Sequence, residues 1–127
     1  MRWACQPDQA ADILDFGCGI GKLTRLIGEA YPQSIVFGYD ISPESINVAR
    51  KRSAHLKNVL FETRIPSGRS YDLVIAANVF HHIREKDCAA MLFGLRALLK
   101  PEGIIVIFEH NPSLGTSSYL HQNPSLH

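Results

Sequence analysis

The sequence predicts an α/β fold, an open doubly wound sheet of about five mostly parallel strands. Three observations predict it. Apolar β-type runs alternate with helical patterns, and a glycine-rich turn joins the first run directly to the first helix. A later run is apolar almost throughout, as a strand covered on both faces must be. The order reads β-α-β-α-β-β-α-β, which demands parallel neighbours joined by right-handed crossovers. A length of 127 residues suits one such domain and not two, and 46% apolar with 20% charged residues is the balance of a globular chain.

Each element has its own signal. Ile13-Leu14-Asp15-Phe16 is a short strand running into glycines, followed by a helix that sets Leu23, Leu26, Ile27 and Ala30 on one face and stops at Pro32. Ser34 to Asp40 is a second β-rich run. Ser42 and Pro43 then read as an N-cap and a first-turn proline, opening a helix that buries Ile46 and Ala49. Val59-Leu60-Phe61 centres a third strand within Asn58–Glu62, Pro66-Ser67-Gly68 is a loop, and Tyr71–Val79 is the apolar fourth strand. Cys88, Met91, Leu92, Leu95, Leu98 and Leu99 form a helical stripe that reads as core packing. The turn Lys100–Gly103 leads to a fifth strand ending at Phe108. In such a Rossmann-like sheet the ligand belongs beyond the carboxyl ends of the strands, where the winding reverses. Residues 1–11 read as a short extension, 12–110 as the core, and 111–127 as a loose polar tail rich in Ser, Asn and Pro.

Composition narrows the partners. Thirteen basic and twelve acidic residues leave a net charge of +1, so no obligatory nucleic-acid or membrane partner is expected. Neither a long apolar span nor a signal-peptide pattern is present, which gives a cytoplasmic location as the expectation. Cys5, Cys18 and Cys88 are odd in number and widely spaced, so they suggest neither a disulfide framework nor a zinc knuckle. No spacing of His81, His82 and His110 matches a metal-ligand signature, and no metal is expected.

The chemistry concentrates in Asp15-Phe16-Gly17-Cys18-Gly19-Ile20-Gly21. Glycines let the chain turn sharply and let a ligand approach the backbone, and free amides at a helix start can receive an acceptor atom. Asp15 is placed to receive an ammonium group or to fix the loop. A dinucleotide loop, G-x-G-x-x-G, needs its third glycine at position 22, where Lys22 stands; here the glycine is Gly21 and the pattern is D-x-G-x-G-x-G. Asp40 closes the second strand, where a carboxylate can accept both hydroxyls of a ribose, and Ile41 beside it can lie against an adenine face.

These segments resemble class I S-adenosylmethionine-dependent methyltransferases. Ile13 to Gly21 is similar to the first signature of that family, Tyr39-Asp40-Ile41-Ser42 to the second, Tyr71 to Ile83 to the fourth-strand segment, and Leu98 to Gly103 to the turn before the fifth strand. The resemblance covers roughly residues 12–110. It implies S-adenosylmethionine as cofactor, held by Asp15, Gly17, Cys18, Gly19, Gly21, Asp40, Ile41 and Asn78. Gly17 and Gly19 would pass the methionine moiety, Asp15 would meet its amino end, and Asn78 would face the methionine portion and the acceptor. His81, His82 and Glu109 are the candidate general bases; the histidines read equally as a loop pair at a strand end.

The chain departs from the family in three places. No aspartate follows the third strand where an adenine-binding acid is usual, leaving Thr63 or a backbone amide as substitutes. The N-terminal extension is short. The usual antiparallel strands after the fifth are expected to be missing, which would leave that strand as an exposed apolar edge inviting a homodimer. The function implied is methyl transfer to an unidentified small-molecule acceptor. The alternative is a truncated cofactor-binding scaffold without catalysis of its own, acting through a partner or self-assembly. A nicotinamide oxidoreductase is a third reading, disfavoured by the glycine spacing.

Overall fold

The computed structural model describes residues 10–77, 79, 83–111 and 116–122. Among them the order is β1 Asp12–Phe16, α1 Lys22–Ala30, β2 Ile35–Tyr39, α2 Pro43–Arg52, β3 Val59–Glu62, β4 Tyr71–Ala77, α3 Glu85–Arg96, β5 Leu99–Asn111 and β6 Thr116–Gln122. The strands form one sheet in the order β3-β2-β1-β4-β5-β6. Every pair from β3 to β5 is parallel, and the sheet is wound outward from β1 in both directions, as the alternation predicts.

Two apolar layers follow from strand alternation. Ile13, Val36, Val59 and Leu73 share the face covered by α1 and α2, where Ile46 and Ala49 of α2 are buried as expected. Leu14, Phe37, Val74 and Ile105 share the opposite face, covered in part by α3 through Leu95 and Met91. The link from β3 to β4 contains no helix and passes over this second face, where the Arg69 guanidinium stacks 4.4 Å from the centre of the Phe37 ring.

Helix α2 begins as its sequence reads. Ser45 N–H donates to Ser42 Oγ at 3.2 Å, with Pro43 in the first turn. Helix α1 differs from the expected apolar face. Thr24 and Gly28 are its buried residues, Ile27 is partly buried, and Leu26 is half exposed. The reason is local: Thr24 is drawn inward by a hydrogen bond to Asp15, and Gly28 lies so close to Val59 that a methyl group there would collide with it.

Strand β5 starts earlier than the sequence suggests, but the Lys100–Gly103 turn survives inside it. Tyr71 pairs with Leu99 and Leu73 with Ile104, so the turn is looped out between two paired stretches. Lys100 Nζ pins this irregularity by donating to Asp12 Oδ2 and Asp72 Oδ2, each at 3.0 Å.

The expected absence of an antiparallel strand is corrected. Residues 116–122, read as part of a loose tail, form β6, which pairs antiparallel with β5 from Asn111↔Thr116 to Ile105↔Gln122. Backbone hydrogen bonding needs no apolar pattern, so a polar segment can cover an edge that its side chains do not advertise. The free edge of β5, on which a homodimer was expected to form, is therefore occupied by the chain itself.

At the amino-terminal end of the sheet, one side chain ties three segments together. Asn58 Nδ2 donates toward Gly28 O at 3.0 Å, Tyr31 O at 3.3 Å and Ser34 O at 3.0 Å, serving the end of α1 and the approach to β2 at once. Replacing Asn58 by alanine leaves these carbonyls short of a donor. It is expected to lower the unfolding free energy by about 1–3 kcal/mol in urea denaturation; a change below about 0.5 kcal/mol would show water serving them as well.

Candidate functional site

The strand ends converge where β1, the first of the doubly wound strands, stops. Past Phe16 the chain turns through Gly17, Gly19 and Gly21 at φ of 78°, 57° and 82°, the left-handed region in which a side chain is strained. This geometry delivers three amides to the end of β2. Gly17 N–H and Cys18 N–H both donate to Tyr39 O at 2.8 Å, and Gly19 N–H donates to Asp40 Oδ2 at 2.8 Å. The other carboxylate oxygen, Asp40 Oδ1, accepts from Ser42 N–H at 3.0 Å. Asp40 thus ties the glycine loop to the start of α2. A carboxylate has about four acceptor sites, so two remain for a pair of hydroxyls.

Beside Asp40 lies a cleft of about 470 Å³. Gly17, Asp40 and Ile41 line it from the predicted set; Phe16, Tyr39, Ala77, Val79, Ile83 and Met91 complete the wall. Ile41 is 80% exposed at its edge, placed to cover a flat ring. Phe16 and Tyr39 stack with ring centres 5.1 Å apart. The sequence reading missed most of this wall. Met91 was absorbed into the core stripe of α3, and Phe16 into the strand, although its position directly before the glycines was a usable signal.

Asp15 is placed differently from Asp40. It is 2% exposed, outside the cleft wall, and shares the α1 side of the sheet with Ile13. Thr24 Oγ1 donates to its Oδ2 at 2.7 Å. Burial pushes its carboxyl up from the ordinary 3.8 to about 6; the Thr24 bond opposes the rise and the Asp40 charge adds to it. The Cys18 thiol is pushed up to about 12 by burial and then by Asp15 and Asp40, so it stays protonated and is no nucleophile at neutral pH. Among the described residues, no salt bridge reaches Asp15 or Asp40. Among the described residues the loop thus carries two acidic side chains with no cationic partner, an arrangement that favours a cationic ligand.

The remaining predicted residues are not brought together here. Glu109 lies on β5 opposite Ser118 of β6 and does not line the cleft. Asn78, His81 and His82 lie outside the described residues. Glu62, at the end of β3, pairs with Arg50 at 3.1 Å. Among the described residues no cluster of His, Cys, Asp and Glu is arranged to hold a metal ion, and no helix is long and apolar enough to cross a membrane.

Comparison with known proteins agrees with this geometry. A family model described as a methyltransferase domain matches residues 14–105. Malonyl-[acyl-carrier protein] O-methyltransferase of Halalkalibacterium halodurans is 32% identical over 113 residues, covering 83% of this chain and 41% of the relative. Trans-aconitate 2-methyltransferase of Azoarcus sp. is 33% identical over 101 residues, covering 79% and 39%. The chain thus spans about two fifths of the length of these relatives. The solved structure of PKMT2 from Rickettsia typhi in complex with AdoHcy superposes with a TM-score of 0.67 at 28% identity, over 77% of this chain and 20% of that one.

The state of Asp15 has a consequence for stability. Its pKa is higher in the folded chain than its ordinary 3.8, so the folded state holds this proton more tightly than the unfolded state. Stability from this group is greatest below about pH 4, falls as the pH rises toward about 6, and is level above. Asp15→Asn keeps an acceptor for Thr24 and removes the buried charge. At pH 7.5 and without ligand it is expected to be more stable than the parent by about 2–3 kcal/mol, an advantage that vanishes near pH 4. Urea denaturation at the two pH values checks this; an equal or more stable parent at pH 7.5 overturns it.

Proposed function

The chain belongs to the methyltransferase domain family, and from that membership we propose that it binds S-adenosylmethionine in the Asp40 cleft and transfers its methyl group to a small-molecule acceptor. The observation that carries the reading is the placement of Asp40, whose carboxylate bridges the glycine loop and α2 and keeps acceptor capacity toward the cleft. In this reading Asp40 receives the two ribose hydroxyls, Gly17 and Gly19 let the methionine portion lie against backbone, and Ile41 covers one face of the adenine. The acidic pair of Asp15 and Asp40 suits a sulfonium, and Lys22, in the place of a third glycine, disfavours the nicotinamide alternative.

A sulfonium cofactor supplies an already electrophilic methyl group, so what the protein adds is position and the exclusion of water. The relatives named for malonyl-[acyl-carrier protein] and trans-aconitate support a small organic acceptor. Where that acceptor must lose a proton, His81 and His82 are the candidate bases, Glu109 being a weaker one because it stands outside the cleft wall; the resemblance gives Asn78 the reacting end. A second reading, binding without turnover, has one observation in its favour: among the described residues lining the cleft, only Asp40 and Tyr39 carry an ionisable side chain. Methyl transfer to a panel of organic acids and phenols separates the two readings.

The direct test is calorimetric titration with S-adenosylmethionine and S-adenosylhomocysteine. Micromolar binding is expected, weakened by about 30-fold or more in Asp40→Ala, because that change removes a charged acceptor from the ribose and frees the Gly19 and Ser42 amides. NADH is expected not to bind. Failure of both sulfur ligands to bind the parent chain would falsify the reading.

A further inference from the structure

We propose that Arg50 closes the free edge of β3 against strand addition, and that the strand it holds off is the β3 edge of a second copy of this chain. The inference is independent of the cofactor reading and concerns the opposite end of the sheet from β6.

Among the described residues β3 ends the sheet, with β2 on one side and no strand on the other. Asn58 O accepts from Val36 N–H at 2.9 Å and Glu62 O from Asp40 N–H at 3.3 Å, so both carbonyls face β2. Successive peptide groups along a strand alternate sides. Leu60 therefore also faces β2, while the backbone N–H and C=O of Val59 and Phe61 turn outward. Such a row is a template for another strand. The side chains add to it. By strand alternation Leu60 and Ile35 lie on the face of Phe37, where the link from β3 to β4 supplies no helix, and they are 47% and 38% exposed. Meeting its own copy about a two-fold axis, this edge is self-complementary, because each side brings the same donors, the same acceptors and the same leucine.

Arg50 occupies this edge. It stands in the last turn of α2, and its side chain reaches across to β3. Arg50 Nε donates to Phe61 O at 3.1 Å and Nη2 to the same oxygen at 2.8 Å, while Nη2 also donates to Glu62 Oε2 at 3.1 Å. A carbonyl oxygen has two lone pairs, and the guanidinium fork takes both. An incoming strand must displace these charge-assisted bonds and push the guanidinium aside before it can pair with Phe61. The Arg50–Glu62 ion pair is half exposed and adds little by itself; its use is to hold the fork over the carbonyl. The helix dipole accounts for a cation in the last turn of α2, but not for its aim at the one outward carbonyl that it covers.

The test is sedimentation velocity on the full chain over a range of concentrations, for the parent, Arg50→Ser and Arg50→Lys. Serine removes the charge and the reach without adding apolar surface; lysine keeps a cation long enough to meet the carbonyl. Arg50→Ser is expected to self-associate at least about ten-fold more tightly than the parent, and Arg50→Lys to stay within about three-fold of it. As the serine variant associates, the Val59 and Phe61 amides are expected to gain protection from hydrogen exchange, which separates pairing at β3 from pairing at β6. The parent gives a check that needs no variant. By NMR its Arg50 Nε–H is expected to exchange with water more slowly than the Nε–H of Arg52, so a misfolded Arg50→Ser does not rescue the idea. An Arg50 Nε–H that exchanges as fast as that of Arg52 overturns the proposal. So does a serine variant no more associated than the parent, or association that leaves the Val59 and Phe61 amides unprotected.

Discussion

The hydrogen bond from Gly19 N–H to Asp40 Oδ2, 2.8 Å long, exists because three glycines in left-handed conformation turn the chain back across the end of β2. That turn does several things at once. It starts α1 at Lys22, sets two amides on Tyr39 O, and brings the loop within reach of the acid that closes β2. Packing then depends on it. A side-chain carbon on Gly21 would fall 2.6 Å from the Phe61 ring, and one on Gly38 would fall 2.5 Å from the same ring and 3.0 Å from Cys18 Sγ. Phe61 of β3 therefore occupies space that two glycines leave open. The aromatic anchor of the α1–α2 layer and the geometry of the cleft are one arrangement, so neither can change without the other.

Much of this was legible from local signals. β1, β2 and β4 carry mostly apolar runs because each is covered by neighbours, and α2 announces itself through Ser42 and Pro43. The glycine loop and Asp40 were readable as a pair because the chemistry of each needs a particular residue type at a strand end. What stayed hidden depended on other forces. β6 pairs with β5 through its backbone ladder, and Thr116 to Gln122 shows no apolar period to find. Leu26 reads as core on its helical period, yet the Asp15–Thr24 bond and the bare flank of Gly28 rotate α1 toward a different face. Met91 and Ile83 join the cleft only because the sheet is wound both ways from β1, bringing the start of α3 beside the end of β2.

Asp15 shows the same point at finer scale. Its position at the end of β1 allowed either an ammonium contact or a part in fixing the loop, and strand alternation sets the side it lies on. Asp15 has the parity of Ile13, which packs under α1, whereas Phe16 has that of Leu14 and lines the cleft. A carboxylate on the α1 side of the sheet is committed to burial. One hydroxyl from Thr24 does not offset the loss of water, so the carboxyl gives up its proton near pH 6 and not near 3.8.

A carboxylate held in that condition is a poor structural choice, since asparagine or an apolar residue would fill the same place without the desolvation penalty. The sheet has salt bridges where it needs them: Lys100 bridges Asp12 and Asp72 at the opposite end, tying β5 to β1 and β4 across the looped-out turn. At the cleft end, by contrast, Asp15 and Asp40 raise one another's energy, and among the described residues no cation answers them. Lys22, which stands where a dinucleotide loop has its third glycine, is exposed to solvent and makes no salt bridge with either acid. The two ends of one sheet thus treat acidic side chains in opposite ways. Among the described residues no positive charge balances the pair, and a cationic ligand in the cleft would supply it.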